Sequence, residues 1–452
     1  MTATARGQGL AAITVLALLL TTVWFSGSAG AGQAGRWTQI THAHSGAGTN
    51  LGLARGKNGA LHVLWAGPSR APFTAISDTQ ISPAGAVGKT QPVVSGWNSV
   101  QRPAAVTAPD GSIHVLISGQ KVLANGDPFS GLNEAVGPAG WSLGARAFGT
   151  FQLTVSSSAD VATTLSKDGQ LVSAWRSARA LLFQAGTDPS TQPQDITPPG
   201  LAEAPVIAVD TASGGAVVAY RDSSSGTAFF RSVLPSLGAP QAMPQAKVLA
   251  PTIAARAGGG IFSAYTPDGA RVWLLRFGGK QIAVPVPKGV RVLTAGLAAG
   301  PEGRLWLFYG NEQRTYVTRT NKAVSAFEPV QTLPSPPKTV QFFRLEGEGS
   351  AGPLDLFAAV TIDGAAKDGS YQTHVFPQLS LRAAKAGQRL TVHVTDAGDP
   401  IAGARVTGLP GGPKTTSAGG TVSVTLKAGR KGSFAVTAAK AGYLPAKGKA
   451  SL

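Results

Sequence analysis

The sequence predicts an all-β protein of 452 residues, a β-propeller of about seven blades followed by a small C-terminal β-sandwich. Three observations lead to this fold class. The 58 Gly and 31 Pro are too many helix-breaking residues for a mostly helical chain. A strand–turn–strand pattern recurs with a period of about 48 residues, which leaves room for four short strands per unit. The period breaks near residue 378, where shorter alternating strands begin.

Each copy of the repeat has an inner strand of small residues, a tight turn with glycine, and a second strand of bulkier residues. The turn glycines are Gly59, Gly111, Gly169, Gly214, Gly259, Gly303 and Gly352. Because propeller blades converge at the axis, the innermost strand must be thin, and bulky second strands fill the widening space outside it. Seven copies predict seven blades. The seventh copy is degenerate, so six or eight blades are alternatives.

The two ends of the repeat array predict how the ring closes. Residues 36–40 form an outer-strand pattern with no inner strands before it, and the last copy ends after its third strand near Phe376. An N-terminal outer strand that joins the last blade would remove the two exposed edges of an open array. We therefore expect a closed propeller domain over residues 36–377.

The N-terminal residues predict export. Arg6 is followed by 16 uncharged residues from Leu10 to Phe25, and Ala29-Gly30-Ala31 fits a small-residue cleavage site. We expect residues 1–31 to be a signal peptide that leaves no transmembrane segment after its removal. The alternative is an uncleaved anchor, although a spanning helix needs roughly 18 to 20 apolar residues. The chain has no cysteine, which excludes thiol catalysis, cysteine-ligated metals and disulfides.

Residues 378–452 read as short alternating strands separated by Gly, Pro and Asp turns, which predicts a small β-sandwich. Residues 394–396, 400–406, 416–421 and 441–443 resemble the bacterial Ig-like and carboxypeptidase-regulatory-like modules. Asp399 departs from the pattern, since such modules often carry Gly there. The resemblance implies an Ig-like domain that serves as a spacer or docking unit.

The positive charge is concentrated in this tail. The whole chain has a formal net charge of +17, and the residues from Gln378 onward hold 11 Lys and Arg against 2 Asp and Glu. A surface of one sign attracts polyanions in a salt-sensitive manner. We expect the tail to dock on anionic cell-envelope polymers through Lys427, Arg430, Lys431, Lys440, Lys447 and Lys449.

The repeats also resemble those of secreted bacterial propellers of the sialidase-like, or BNR-like, kind. Gln101-Arg102-Pro103 is similar to the motif that opens the sialidase arginine triad. The Asp box of that family does not match, because in Ser166-Lys167-Asp168-Gly169 the glycine directly follows the aspartate. The other triad members cannot be matched by motif, so the resemblance implies the fold and not the activity.

A candidate site lies where the inner strands begin, because propeller ligands bind where these strands open onto the central channel. The first four blades place polar groups there, and blades five to seven are nearly apolar, with Phe342 and Phe343 heading the seventh. The candidate ligand-binding residues are Asn50, Arg102, Asp160 and Glu203. The alternative is a solvated rim in which an arginine–carboxylate pair locks adjacent blades.

Histidines are few and predict no metal site. His62 and His114 occupy the same repeat position in adjacent blades, which favours an imidazole hydrogen-bonded between blades. His42 and His44 lack an evident third ligand. We expect no metal and no cofactor.

The sequence therefore favours a secreted or cell-surface-associated, non-catalytic binding or adhesion protein. Its propeller face would bind a glycan or a protein partner, and its basic tail would dock on the envelope. The alternative is a glycoside hydrolase or polysaccharide lyase in which Asp160 and Glu203 act with Arg102. A scaffold without a small ligand is a third interpretation. No nucleic-acid module is present, and we expect a monomer.

Overall fold

The computed structural model describes residues 35–41, 51–68, 74–122, 128–144, 160–177, 180–188, 190–198, 202–247, 251–362, 367–429 and 432–451. Within these ranges the regular elements are strands, apart from one 3-10 turn at Pro301–Gly303. The prediction of an all-β fold is confirmed. The predicted signal peptide, Asn50, His42 and His44 lie outside the described residues. None of the described residues belongs to a helix that is long and apolar enough to span a membrane.

In the described part of the chain, residues 38–375 form seven antiparallel sheets. The strands of the first three sheets are β2 (Leu51–Arg55), β3 (Leu61–Pro68), β4 (Thr74–Ile81) and β5 (Val87–Trp97); β6 (Ser99–Val100), β7 (Ala104–Thr107), β8 (Ile113–Val122), β9 (Pro128–Gly137) and β10 (Ser142–Leu143); and β11 (Val161–Leu165), β12 (Leu171–Ser177), β13 (Ala180–Ala185) and β14 (Gln194–Asp195).

Sheets four to seven continue the same order along the chain. Their strands are β15 (Ala202–Val209), β16 (Ala216–Asp222), β17 (Thr227–Leu234) and β18 (Gln241–Lys247); β19 (Ile253–Ala255), β20 (Ile261–Tyr265), β21 (Val272–Arg276) and β22 (Gln281–Val284); β23 (Thr294–Ala299), β24 (Leu305–Gly310), β25 (Arg314–Arg319) and β26 (Gln331–Pro334); and β27 (Thr339–Glu348), β28 (Leu354–Ile362) and β29 (Lys367–Val375), completed by β1 (Thr38–Gln39).

The turn glycines of the repeat lie between the first and second long strands of each sheet. All seven have a positive φ, from 78° at Gly169 to 117° at Gly352. A side chain is strained in this left-handed region, so glycine is the residue that the hairpin requires. The second strands are almost fully buried, and Leu305–Gly310 is buried at every position. The repeat therefore corresponds to one sheet per copy.

The first strands of the sheets form a closed ring. Each contacts the next, in the order β2, β7, β11, β15, β19, β23 and β27, and β27 contacts β2. Neighbouring first strands run in the same direction, because Gly52 lies against Pro103 while Thr107 donates a hydrogen bond to the carbonyl of Arg55 at 2.9 Å. Sheets arranged in this way around an axis make a β-propeller. We call the end of the ring at which the first strands begin the channel mouth.

The N-terminal segment completes the last sheet. Thr38 pairs with Gln372, and Gln39 pairs with Tyr371, so β1 is the outer strand beside β29. The backbone N–H of Ile40 donates to the carbonyl of Ser370 at 2.8 Å. This pairing is the ring closure that the sequence predicts, and it covers the edge that β29 would otherwise expose.

The predicted role of the two repeated histidines is wrong in one respect. His62 Nδ1 lies 2.9 Å from Asp78 on β4, and His114 Nδ1 lies 2.5 Å from Glu134 on β9. Both partners belong to the histidine's own sheet and not to a neighbouring blade. Adjacent strands bring side chains within about 5 Å, whereas packed sheets are about 10 Å apart, so the third strand is the partner within reach. The hydrogen bond with Glu134 raises the pKa of His114.

The C-terminal residues form two further four-stranded sheets that face each other. One contains β30 (Ser380–Ala386), β31 (Arg389–Asp396), β32 (Asp399–Pro400) and β35 (Thr421–Thr425), and the other contains β33 (Arg405–Thr407), β34 (Lys414–Thr415), β36 (Ser433–Ala439) and β37 (Ala446–Ser451). Val392 from one sheet and Val436 from the other lie in the same apolar core, both fully buried. This is a β-sandwich.

A buried charge network joins the sandwich to the ring. Arg319 at the end of β25 is 2% exposed and pairs with Glu328 at 3.1 Å and with Asp396 of β31 at 2.5 Å. Arg304 pairs with Asp396 at 3.2 Å and with Asp399 at 2.6 Å. The guanidinium of Arg319 also lies between two aromatic rings, that of Trp306 in the ring and that of Tyr443 in the sandwich. We call Arg304, Arg319, Glu328, Asp396 and Asp399 the junction network.

Burial beside Asp396 favours a protonated Glu328 in this network. Burial and the hydrogen bond to Asp396 raise the pKa of Glu328 to about 9. Burial opposes the charge of Asp396, but the hydrogen bond from Glu328 and the charges of Arg319 and Arg304 outweigh it and lower the pKa of Asp396. Asp396 Oδ1 is buried, and no N–H group of the described residues donates to it. A proton on Glu328 gives Asp396 a further hydrogen-bond donor at neutral pH.

The raised pKa of Glu328 predicts a loss of stability in alkali. A raised pKa means that folding holds the Glu328 proton, so its stabilisation is complete below the usual range of glutamate and is lost as the pH rises towards 9. Glu328→Gln keeps an N–H donor at every pH, and we expect its melting temperature to fall less between pH 7 and pH 10. Thermal melts measure this, with Glu312→Gln as the control variant. Parallel curves for the parent and Glu328→Gln would contradict the raised pKa of Glu328.

Candidate functional site

The structure places three of the four predicted site residues at the channel mouth. Arg102 lies in the gap between β6 and β7, which both pair with β8. Asp160 directly precedes β11, and Glu203 is the second residue of β15. Asn50, the fourth, lies outside the described residues. The position of a residue ahead of an inner strand therefore located it correctly at this end of the ring.

A cavity of about 170 Å³ opens in the channel. The first strands supply most of its wall, and the lining residues are Leu51, Leu53, Arg102, Val206, Thr252, Ile253, Leu297, Phe308, Arg344, Leu345, Glu346 and Gly347. Most of the wall is apolar, and the charged side chains in it are Arg102, Arg344 and Glu346, which we call the mouth cluster. The cavity thus combines an apolar surface with a few converging polar groups, as small-molecule sites do.

The mouth cluster is built around one carboxylate. Arg102 Nη2 donates to Glu346 Oε1 at 2.9 Å, and Arg344 Nε lies 2.9 Å from the same oxygen. The other oxygen, Oε2, accepts the backbone N–H of Leu51 at 3.2 Å. The three side chains are between 10% and 16% exposed. Glu346 therefore holds together sheets seven, one and two.

Burial disfavours the charge of Arg344. Burial and repulsion from Arg102 lower the pKa of Arg344 to about 10, although Glu346 and Asp160 act in the opposite direction. A guanidinium group with a lowered pKa lies in an environment that penalises its charge. A further anion near Arg344 would relieve that penalty, so the cluster is suited to bind one.

A second set of charges lies between sheets three and four. Glu203 pairs with Arg221 at 3.0 Å and with Arg176 at 3.5 Å. Asp160 Oδ2 accepts the backbone N–H of Ala204 at 3.2 Å. Ala204 has a φ of 48°, a left-handed conformation that is rare for residues other than glycine. Both predicted carboxylates are therefore engaged in holding the backbone and the neighbouring arginines.

Sequence reasoning missed four of these residues. Arg344 and Glu346 belong to the seventh copy, whose predicted head at Phe342 and Phe343 is wrong. A register shift between Phe342 and Arg344 displaces the strand against β28, so blade seven is charged where an apolar surface was expected. Arg176 and Arg221 each follow the aromatic residue that ends the repeat, Trp175 and Tyr220. This shared position is a sequence pattern that could have identified them.

The predicted docking residues lie on the outside of the sandwich. Lys427, Lys440, Lys447 and Lys449 are exposed, and Arg430 and Lys431 lie outside the described residues. Lys447 and Lys449 are two residues apart on β37, so they project from the same face about 7 Å apart.

The acidic residues of the tail do not offset this basic surface. Asp396 and Asp399, the two acids that follow Gln378, both belong to the junction network. Basic residues therefore dominate the outer surface of the sandwich.

No protein-family model matches the chain, and no curated protein does. Solved structures are similar in fold. An extracellular domain from B. thetaiotaomicron is 10% identical with a TM-score of 0.42, and the match covers 92% of this chain but only 56% of that one. An alpha-L-arabinanase of Penicillium chrysogenum is 11% identical over 76% of this chain and 98% of its own, with a TM-score of 0.42. A lectin in complex with alpha methyl fucoside is 15% identical over 66% and 98%, with a TM-score of 0.41. At these identities and TM-scores, function has to be argued from the residues of this chain.

Removing the shared carboxylate tests the mouth cluster. Glu346→Gln leaves Arg102 and Arg344 without their common anion, and we expect a loss of about 1–3 kcal/mol in the free energy of unfolding, since the pair is only partly exposed. Added sulfate should restore part of this loss by binding in place of the carboxylate. Thermal melts with and without sulfate measure both effects.

Glu312→Gln is the matched control, because Glu312 pairs with no cation among the described residues. Sulfate also stabilises proteins in general, so the result is the difference between the two variants. An equal response of both variants to sulfate would contradict an anion site at the mouth cluster.

Proposed function

We propose that the protein is a secreted, non-catalytic binding protein that takes the anionic group of a glycan at the channel mouth and docks through its basic tail on an anionic polymer of the cell envelope. The observation that carries the proposal is the pairing of two guanidinium groups with one carboxylate inside the channel cavity. The pKa of Arg344, which burial and then Arg102 lower to about 10, supports it.

The chemistry of the cavity favours an acidic sugar. Guanidinium groups bind carboxylate and sulfate oxygens through paired N–H donors. The apolar wall supplied by Leu53, Ile253 and Leu297 suits the C–H face of a pyranose ring. A volume of about 170 Å³ is small for a ligand site, so a single sugar unit at the end or branch of a glycan fits better than an internal segment.

The proposal includes the finer architecture expected from the sequence. Residues 1–31 are the cleaved signal peptide, residues 36–377 are a closed propeller of seven blades, and residues 378–452 are an Ig-like docking module. The ring of seven first strands supports the blade count in the described part of the chain. The two facing sheets of the tail support the Ig-like assignment.

Binding is favoured over catalysis because the two candidate carboxylates are already engaged. Glu203 lies between Arg176 and Arg221, and Asp160 holds the backbone of Ala204. The hydrolase or lyase alternative has one observation in its favour: these carboxylates lie on adjacent sheets at the same end of the ring. Two carboxylates on either side of a sugar are what hydrolysis requires.

The first test is a titration with single sugars. We expect glucuronate to bind and glucose not to bind, and Arg344→Gln to weaken glucuronate binding about tenfold, as expected for the loss of one charge-assisted pair. Isothermal titration calorimetry measures the affinities. Arg291→Gln is the control, because Arg291 is an exposed arginine away from the cavity lining.

The same experiment separates binding from catalysis. Equal affinities for Arg344→Gln and Arg291→Gln would contradict the channel-mouth site. New reducing ends or unsaturated products from acidic polysaccharides, abolished by Asp160→Asn, would replace the binding proposal by the enzymatic alternative.

The docking part of the proposal is tested by removing positive charges from the tail surface. The tail itself is kept, because its deletion would leave Arg319 without Asp396. The tail variant changes Lys427, Lys440, Lys447 and Lys449 to Gln. We expect it to lose most of its binding to isolated cell wall at low salt, and the parent to lose binding as the salt concentration rises. Pull-down at two salt concentrations measures both.

A ring variant with the same net charge is the matched control. Lys57, Lys89, Lys280 and Lys288 are exposed in the described part of the propeller, and changing these four to Gln also removes four positive charges. An equal loss of binding in both variants would show that total charge, and not the tail, determines adhesion.

A further inference from the structure

The outer face of the sandwich carries a second concave site. It has a volume of about 370 Å³ and lies on β30 and β31, lined by Ser380, Leu381, Arg382, Ala384, His393 and Thr395. These residues are not among the docking lysines predicted from the sequence, and they belong to the other sheet from Lys447 and Lys449. We call this site the tail pocket.

The register of the two strands gathers its polar groups. Ser380 is directly opposite Thr395, and Arg382 is directly opposite His393. Residues two apart on a strand share a face, so all four side chains project from the outside of the sheet. Opposite pairs are about 5 Å apart and successive pairs about 7 Å apart. A guanidinium, an imidazole and two hydroxyl groups therefore converge on a patch the size of one oxyanion and its substituents.

None of these four side chains has a hydrogen-bond or ion-pair partner among the described residues. By contrast, Thr391 and Ser423 on the same face bond each other at 3.0 Å. Arg382 and His393 are exposed. The two acids of the tail, Asp396 and Asp399, pair with arginines of the junction network and not with Arg382. These four side chains can all donate hydrogen bonds, and no carboxylate of the described residues lies beside them. An anion is therefore the ligand that matches the site.

We propose that the tail pocket binds a phosphodiester group of a linear anionic polymer. Arginine presents paired N–H donors to the oxygens of a phosphate, and the imidazole and hydroxyl groups can donate to its remaining oxygens. Ala384 is short, so the polymer can continue along the sheet beyond the pocket. The inference rests on the docking part of the proposed function and assigns its recognition site to residues other than the lysines.

The experiment uses the full chain and an oligomer of glycerol phosphate as the probe. We expect Arg382→Gln and His393→Ala each to weaken binding, with about a tenfold loss for Arg382→Gln. Arg405→Gln is the matched control, since Arg405 is an exposed arginine on the other sheet and its loss changes the net charge equally. Calorimetry measures the affinities, and melting temperatures check that each variant is folded.

Three outcomes would overturn the proposal. An equal loss for Arg382→Gln and Arg405→Gln would mean that the charge of the tail acts without a site. Binding of inorganic phosphate as tight as that of the oligomer would indicate a site for the free ion. Tighter binding of polygalacturonate would indicate carboxylate chemistry. The glucuronate titration of Arg344→Gln is independent of all three, so failure of the channel-mouth site and failure of the tail pocket are distinguishable.

Discussion

Closure of the ring is the constraint on which the rest of the structure depends. Each sheet buries its faces against two neighbours, so the first and last sheets are covered only if they meet. The strand β1 completes the last sheet from the other end of the chain, and β27 contacts β2 across the join. The charges that line the channel lie at this same join. Glu346 on β27 reaches sheets one and two there, so the strand that contacts β2 across the join also carries the central residue of the mouth cluster.

Acidic residues are scarce in this chain, and the described structure uses many of them to hold arginines. Glu346 pairs with Arg102 and Arg344, Glu203 pairs with Arg176 and Arg221, and Asp396 pairs with Arg304 and Arg319, each between different parts of the fold. Taking such charges out of water is costly and is offset only when partners surround them. Because these acidic residues are buried, they do not offset the charge of the basic residues at the surface. This is why the sandwich has a basic exterior although it contains two aspartates.

The sequence predicted which residues lie at the channel mouth better than it predicted which charged side chains line the cavity there. Arg102, Asp160 and Glu203 could be placed because their position ahead of an inner strand follows from the repeat and needs no side-chain detail. Arg344 and Glu346 could not be placed, because a register shift in β27 decides which residues of that strand reach the channel. The partners of His62 and His114 were expected in a neighbouring blade and lie in the histidine's own sheet, for a related reason. Repetition shows that a position matters, but it does not show which neighbour the side chain faces.

Glycine positions and strand periodicity determined the all-β class, the propeller repeat and the closing N-terminal strand. The counts of charged residues determined the basic tail. The strand class, the repeat and the tail charge depend on local backbone conformation and composition, and the closing strand follows from the incomplete last copy of the repeat. Only the tertiary structure decided that Glu346 is shared by two arginines, that burial beside Asp396 raises the pKa of Glu328, and that Arg382, His393, Ser380 and Thr395 converge. Such groupings depend on register and on contacts between residues as far apart as Leu51 and Glu346. The physical reason is that a charge or a donor acquires its role from the groups that surround it in space, and the repeat does not encode those groups.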